Sequence, residues 1–247
     1  MTPPAIVTIG NFDGVHLGHH KLIDQVVSRA RALGLGSFAI TFDPHPEQVL
    51  VPERKLTYLS TAEERKEILE QSGIDSVWIC PFTRDLARLE PEEFMRLVTE
   101  RQPIAELWVG ADFALGRGRK GTIAVLAELG AASGWGLHMV APLVLEGQVV
   151  SSTAIRTLLA AGAIRGAADL LGRVYSVPGE VRGDYLLVDP LRAVPRASVA
   201  YEAQVHQDGA VHETVVSVEQ DPPRVALDQE LPHRHGPARV YFVRRAD

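Results

Sequence analysis

The sequence predicts an α/β protein, with a parallel, Rossmann-like sheet flanked by helices and a small antiparallel β domain behind it. Three observations carry this. Over the first part of the chain, short apolar runs alternate with helically spaced apolar residues, the pattern of βαβ units and a parallel sheet. From Arg173 the apolar runs become short, valine-rich and separated by Gly, Pro and Asp, as in antiparallel barrels or sandwiches. The 247 residues, 46% hydrophobic and 23% charged, suffice for two cores and are ordinary for a globular chain. The composition change sets the expected domains at 1–172 and 173–247.

Ala5-Ile6-Val7-Thr8-Ile9 reads as a buried strand, and Leu22, Ile23, Val26, Val27, Ala30 and Leu33 then recur at helical spacing. Between them lies Gly10-Asn11-Phe12-Asp13-Gly14-Val15-His16-Leu17-Gly18-His19. Gly10, Gly14 and Gly18 permit backbone angles and close ligand approach that a side chain would block. The helix start adds unpaired N–H groups and positive dipole, so the segment has the makings of a phosphate site. Within a first helical turn His16 and His19 would lie on one side, about 5–6 Å apart, able to donate to one phosphate chain. Taken alone, such a turn is equally a tight connection. His20 is given no role.

Ser37 to Phe42 is a second strand, paired in parallel with the first. Asp43-Pro44-His45-Pro46 stops it, with both prolines rigidifying the exit. This loop falls on the sheet edge that carries the His16 turn, the edge where open α/β sheets bind ligands. By itself a proline-bracketed His45 is a surface loop residue. Leu56 to Gly73 holds a helix capped by Ser60 or Thr61, with Glu63 and Glu64 in its first turn and Ile68 and Leu69 on its apolar face. Its mixed charges read as a solvated face, and the element as scaffold.

Ser76 to Cys80 is a strand in which the lone Cys80 serves as buried filler; a single cysteine also agrees with a reducing compartment. Pro91 opens a helix, and Phe82, Leu89 and Phe94 belong to the core. Leu107 to Val109 begins a strand that leads into a loop ending at Gly121. There Gly116, Gly118 and Gly121 spell a dinucleotide fingerprint, but Ala111 to Leu115 separate it from its strand, and Thr122 stands where a P-loop needs lysine. Both motifs are rejected. Thr122 to Gly134 is a helix and Leu137 to Val140 a last core strand. Ser151, Ser152 and Thr153 precede an apolar-periodic run, an N-cap signature; capping and anion binding draw on the same N–H groups, and Arg156 adds a guanidinium one turn on.

In the β domain the expected strands are Val174 to Val181, Tyr185 to Asp189, Val199 to Val205, Val211 to Val218, Arg224 to Leu227 and Arg239 to Val243. Tyr201, Ala203 and Val205 alternate with Glu202 and Gln204, as a half-buried strand requires. His233 and His235 flank Arg234 in what reads as a turn, because no further residue has the spacing of a metal ligand. The net charge of −6 provides no overall field for nucleic acid. No apolar run approaches the roughly 20 residues of a membrane span. Met1-Thr2-Pro3-Pro4 lacks the basic and apolar parts of a signal peptide, so a cytoplasmic location is expected.

The run Gly10 to His19 resembles the HxGH signature of the α/β nucleotidyltransferases, in the extended form seen in prokaryotic FAD synthetases. Thr41 to Pro46 resembles that family's second motif. Gly110, Asp112, Phe113, Gly116 and Arg119 resemble the third, with Asp112 where some relatives carry asparagine. Ser151-Ser152-Thr153 with Arg156 resembles the fourth. The four stand in the family's order from residue 8 to residue 156. The resemblance implies transfer of AMP from ATP to FMN, giving FAD and pyrophosphate, with Mg²⁺. His16, His19 and Arg156 would be catalytic. ATP would meet Gly10 to His16, His19, Ser151 to Thr153 and Arg156; the flavin would meet Phe42, Asp43, Pro44, His45, Asp112 and Phe113. Asp13 or Asp112 would assist. Phe82, Leu89 and Phe94 would border the flavin.

Leu171 to Ser176 resembles the start of the riboflavin kinase module of bifunctional FAD synthetases. That module carries Gly-Phe-Pro-Thr-Ala-Asn soon after the position of Gly183, where this chain reads Asp184-Tyr185-Leu186-Leu187-Val188-Asp189-Pro190, and residues 173–247 are short for it. Kinase activity is therefore expected to be absent, and the β domain to serve stability or association. Partners are expected to be small molecules, ATP and FMN, without nucleic acid or membrane; no oligomeric state is implied. A bifunctional enzyme, a transferase acting on another phosphate and an inactive flavin or nucleotide binder are the alternatives.

Overall fold

The computed structural model describes residues 2–54, 56–229 and 231–246. Met1, where the N-terminal reading starts, and Asp247, where the β domain ends, lie outside the described residues. The chain gathers into two compact units, 1–56 with 60–144 and 57–59 with 145–247. No helix among the described residues is long and apolar enough to cross a membrane.

In the first unit β1 (Ala5–Ile9) is buried throughout. It is followed by α1 (Leu17–Leu33), which buries Leu22, Ile23, Val26, Val27 and Ala30, leaves Leu33 exposed, and ends at Gly34 with a left-handed φ of 65°. Then come β2 (Gly36–Asp43), a short α2 (Pro46–Leu50), α3 (Ala62–Gln71), β3 (Ser76–Pro81), α4 (Pro91–Arg101), β4 (Ile104–Gly110), α5 (Ile123–Ser133) and β5 (Gly136–Val140). The strands form one sheet in the order β3-β2-β1-β4-β5, every neighbouring pair parallel. Alternate residues of β1 enter opposite cores. Val7 and Ile9 pack with Phe38, Ile40 and Leu107, whereas Ile6 packs with Phe12, Val15 and α1. A strand covered on both faces reads as a continuous apolar run, which is why the sequence betrayed it.

The strand order reverses between β1 and β4. In an open α/β sheet that reversal leaves a crevice outside the carboxyl ends of the strands. The turn after β1, the loop after β2 and the loop after β4 all stand on this edge. β5, read from sequence as a core strand, is an edge strand with Val140 buried and Met139 exposed. Cys80 is buried, as are Phe94 and, in part, Phe82 and Leu89.

Along the chain, β6 (Val144–Leu145) and β7 (Gln148–Val149) form a two-stranded ribbon, and α6 (Ser152–Ala161) and α7 (Ile164–Leu171) follow. The sequence reading contains no counterpart of α2 or α7. The remaining strands are β8 (Tyr175–Arg182), β9 (Tyr185–Leu187), β10 (Ala200–Gln207), β11 (Ala210–Gln220), β12 (Pro223–Leu227) and β13 (His235–Arg245). They pair antiparallel and close as β10-β11-β12-β9-β8-β13, because β13 pairs with both β8 and β10. The sequence left barrel and sandwich open; the structure is a barrel, which leaves no strand edge unpaired. Tyr201, Ala203 and Val205 point into it and are buried. His235 opens β13, where the sequence suggested a turn. Residues 57–59 join this unit through Tyr58, whose amide donates to the Leu191 carbonyl and whose carbonyl accepts from Ala193, both at 2.8 Å.

Candidate active site

The turn after β1 is held tightly. The Gly10 amide donates to the Ile40 carbonyl at 3.0 Å, and a Cβ on Gly10 would stand 3.2 Å from the Phe12 ring. Gly14 has φ 79°, open to glycine at no steric cost. Gly18, by contrast, is an ordinary helical residue of α1, so the turn itself needs two of the three glycines the sequence singled out. Phe12 (φ 50°) and Val15 (φ 36°) also take left-handed angles, and for a β-branched residue that is strained backbone. Both side chains are buried in the core beside α1, which fixes them there.

His16 is the N-cap of α1, one position before the helix. Its Nδ1 accepts the His19 N–H, and the His19 Nδ1 accepts the His16 N–H, each at 3.3 Å. This reciprocal capping box stacks the two rings, with centroids 3.7 Å apart and planes 16° apart, and Phe12 meets His19 edge-on at 5.2 Å. The pair is closer than helical spacing alone implies. An Nδ1 that accepts leaves the ring proton on Nε2, so the box sets both imidazoles in the same tautomer.

Two of the residues expected from sequence to meet ATP turn polar groups inward. The Gly14 amide donates to Ser60 Oγ at 2.7 Å, so it is not among the donors turned toward a ligand. Asp13 is buried and accepts the Ser60 N–H at 3.1 Å, with Ser60 Oγ 3.4 Å away. Arg65, only 3% exposed, donates from Nη1 to the Ser60 carbonyl at 3.0 Å and from Nη2 to the Phe42 carbonyl at 2.7 Å. Burial pulls its pKa below the usual guanidinium range, and the nearby Asp13 carboxylate opposes that fall. The reading of this helix as a solvated scaffold is thus corrected, because Glu64 and Arg65 are both buried. Thr61, not Ser60, is the cap of α3, in a capping box with Glu64.

At the end of β2, Phe42 is buried against Phe82, edge-on at 5.5 Å, while Asp43 and the cis Pro44 are exposed. His45 is no surface residue. It is 8% exposed and caps α2 with Nδ1, which accepts the Glu47 N–H at 3.2 Å, and its Nε2 lies 3.2 Å from the Asn11 side-chain amide. Thr41 Oγ1 donates to the Asn11 carbonyl at 2.9 Å. The Gly10–His19 turn and the Phe42–His45 loop are thereby brought together.

After β4, Asp112 is exposed, Phe113 is half-buried against the core, and Arg119 folds back to donate to the Asp112 carbonyl at 2.8 Å. Gly116 and Gly121 are explained by packing. A Cβ on the first would stand 3.0 Å from Pro91, and one on the second 2.8 Å from Leu115. In the second unit Ser151 caps α6, accepting the Ala154 N–H at 3.2 Å; Ser152 and Arg156 are half-buried and Thr153 is exposed.

A family model described as FAD synthetase matches residues 1–154. The chain belongs to the FAD synthetase family. A bifunctional riboflavin kinase/FMN adenylyltransferase of Pseudomonas fluorescens is 34% identical over 177 residues, 71% of this chain and 57% of that protein. Proteins of the same description from Escherichia coli strain K12 and Listeria monocytogenes are each 32% identical, over 73% and 71% of this chain and 58% and 56% of their own lengths. The chain therefore spans less than two thirds of these relatives. A crystal structure of a macrolide-efflux protein from Streptococcus pneumoniae shares the fold, with a TM-score of 0.86 over 100% of this chain and 86% of that one, at 23% identity.

Arg65 escaped the sequence reading, and Ser60 entered it only as a candidate helix cap. A signal for Arg65 existed. Ala62, Arg65 and Leu69 fall at i, i+3 and i+7, and all three are buried, so helical arithmetic places the arginine on the inner face.

Proposed function

We propose that this member of the FAD synthetase family transfers AMP from ATP to FMN, giving FAD and pyrophosphate, and does not phosphorylate riboflavin. The observation that carries the reading is the stacked His16–His19 pair at the sheet's switch point, both rings held with their protons on Nε2. An FMN phosphate oxygen attacks the α-phosphorus of ATP, and the bond to the bridging oxygen of pyrophosphate breaks. The attacking oxygen is already anionic, so positioning and charge neutralisation do the catalysis.

His16 and His19 donate to the α-phosphate and the leaving group as charge builds there. Arg156 and the N-terminus of α6, with Ser151, Ser152 and Thr153, hold the triphosphate. Gly10, Asn11, Phe12 and Val15 shape the nucleotide side, while Gly14 and Asp13 keep the turn in place from within. Phe42, Asp43, Pro44, His45, Asp112 and Phe113 form the flavin side. Among the described residues no group of three or more His, Cys, Asp or Glu is gathered to hold a metal. A magnesium ion bound with the triphosphate would supply further charge neutralisation. The single Cys80 agrees with a reducing compartment, and we place the reaction in the cytoplasm, within domain 1–172.

The relatives' description favours a second reading, in which residues 173–247 also phosphorylate riboflavin. One experiment separates them. The protein is mixed with Mg·ATP and either riboflavin or FMN, and the flavins are resolved by chromatography. FAD from FMN alone is expected. FMN or FAD formed from riboflavin supports the bifunctional enzyme, and no FAD from FMN overturns the transferase.

A further inference from the structure

We propose that Ser60 and Arg65 are positioning residues of this site, holding the histidine turn and the carboxyl end of β2 in one fixed relation; the proposal rests on the transferase reading above. Three strands of argument converge. Ser60 is 2% exposed and bonds the turn from both of its polar groups, its N–H and hydroxyl meeting Asp13 while its Oγ accepts from Gly14. Arg65 then fastens Ser60 itself to Phe42, one guanidinium nitrogen on each carbonyl, so the two substrate loops share one anchor on α3.

A buried guanidinium is an expensive way to stabilise a fold, since an apolar residue of like volume often does as well or better. A bidentate donor between two loop carbonyls has a different use, because it fixes their separation. The strained φ angles at Phe12 and Val15 also persist only where the surroundings over-determine them. Ile40, Thr41 and His45 hold the start of this turn at Gly10 and Asn11, Ser60 holds its end at Asp13 and Gly14, and His16 follows two positions later as the cap of α1. Freeing Gly14 therefore loosens the backbone that carries the capping box of the imidazole pair.

The test uses the full chain with Ser60→Ala, Arg65→Met and Arg65→Lys, and Lys66→Ala on the same helix as a control, since Lys66 pairs with Glu70 one exposed turn on. Folding is followed by circular dichroism, FAD formation by chromatography, and imidazole tautomers by nitrogen NMR. In folded Ser60→Ala and Arg65→Met, kcat is expected to fall between about ten- and a hundredfold, the scale of misplaced reacting groups. The Nε2–H signature of His16 and His19 should give way to a tautomer mixture. Arg65→Lys should recover part of the rate, and Lys66→Ala should match the parent. Unchanged kinetics and tautomers in Ser60→Ala overturn the proposal, as does a rate loss matching only the unfolded fraction. If Arg65→Met does not fold, Ser60→Ala decides alone. If the parent makes no FAD, the transferase reading fails, and the tautomer signal still decides the positioning claim.

Discussion

In the proposed transfer His19 offers a phosphate a single donor, its direction set by the other nitrogen of its ring, which accepts the His16 amide N–H. His19→Ala removes that donor and opens the capping box together. Turnover is expected to fall by roughly two to three orders of magnitude, as for a lost oxyanion donor, and stability by about 1 kcal/mol, as for a lost cap. Steady-state FAD formation beside a urea titration separates the two, and near-normal turnover would remove His19 from the chemistry. Cys80 makes the opposite case. Burial pushes its thiol up to about 11, so at pH 8 the folded protein should resist iodoacetamide, and rapid labelling would contradict its place in the core. At this scale the sequence was legible where type and spacing set a contact, as with the meeting of His16 and His19. It was opaque for Ser60, since nothing in Ser60-Thr61 says which hydroxyl caps the helix and which turns inward to a glycine 46 positions earlier.

Among elements, α1, β4 and β5 are tied by one carboxylate. Glu106 accepts from Arg29 at 2.6–3.0 Å and from Trp108 Nε1 at 2.9 Å, with His138 Nε2 3.3 Å away and its ring stacked on Trp108. The Arg29 hydrogen bonds, ahead of burial working against them, hold its pKa below the usual 4.5. Asp75 is held below 3.8 in the same way by the amide and hydroxyl of Ser37. A carboxylate with a depressed folded pKa contributes stability that is full above its unfolded value and is lost as pH falls through the folded one. Urea midpoints should therefore decline below about pH 4.5, where these groups begin to protonate in the unfolded chain. Glu106→Gln should lower the unfolding free energy at pH 7 by about 1–2 kcal/mol, the worth of charge-assisted bonds at a partly buried site, and flatten the acid decline. An unchanged acid limb would show that Glu106 does not carry it. The strands and long helices were legible because burial on alternate or helical positions writes a period into the sequence. The short α2 and α7 were not, because neither is long enough for a period to emerge, and α7 carries Gly166 in its interior.

For the whole molecule, the proposed function asks a chain of net charge −6 to gather a polyanion through local donors alone. The proposed function assigns ATP to two separate stretches of the sequence, 10–19 and 151–156. The barrel strands β9 to β12 are assigned none. Binding of Mg·ATP should thus write a pattern into amide hydrogen exchange, with protection rising in both stretches and staying unchanged across β9 to β12. At a nucleotide concentration of about 100 Kd the folded protein should also gain about 2.7 kcal/mol by mass action. Protection confined to 10–19 would strip Arg156 and its helix of their part in holding the triphosphate. Protection spreading into β9, where Asp184 to Asp189 stand in place of a kinase nucleotide motif, would instead give the barrel a nucleotide site of its own. That outcome would return the bifunctional reading to the front, because an ATP-binding barrel has a phosphate to transfer.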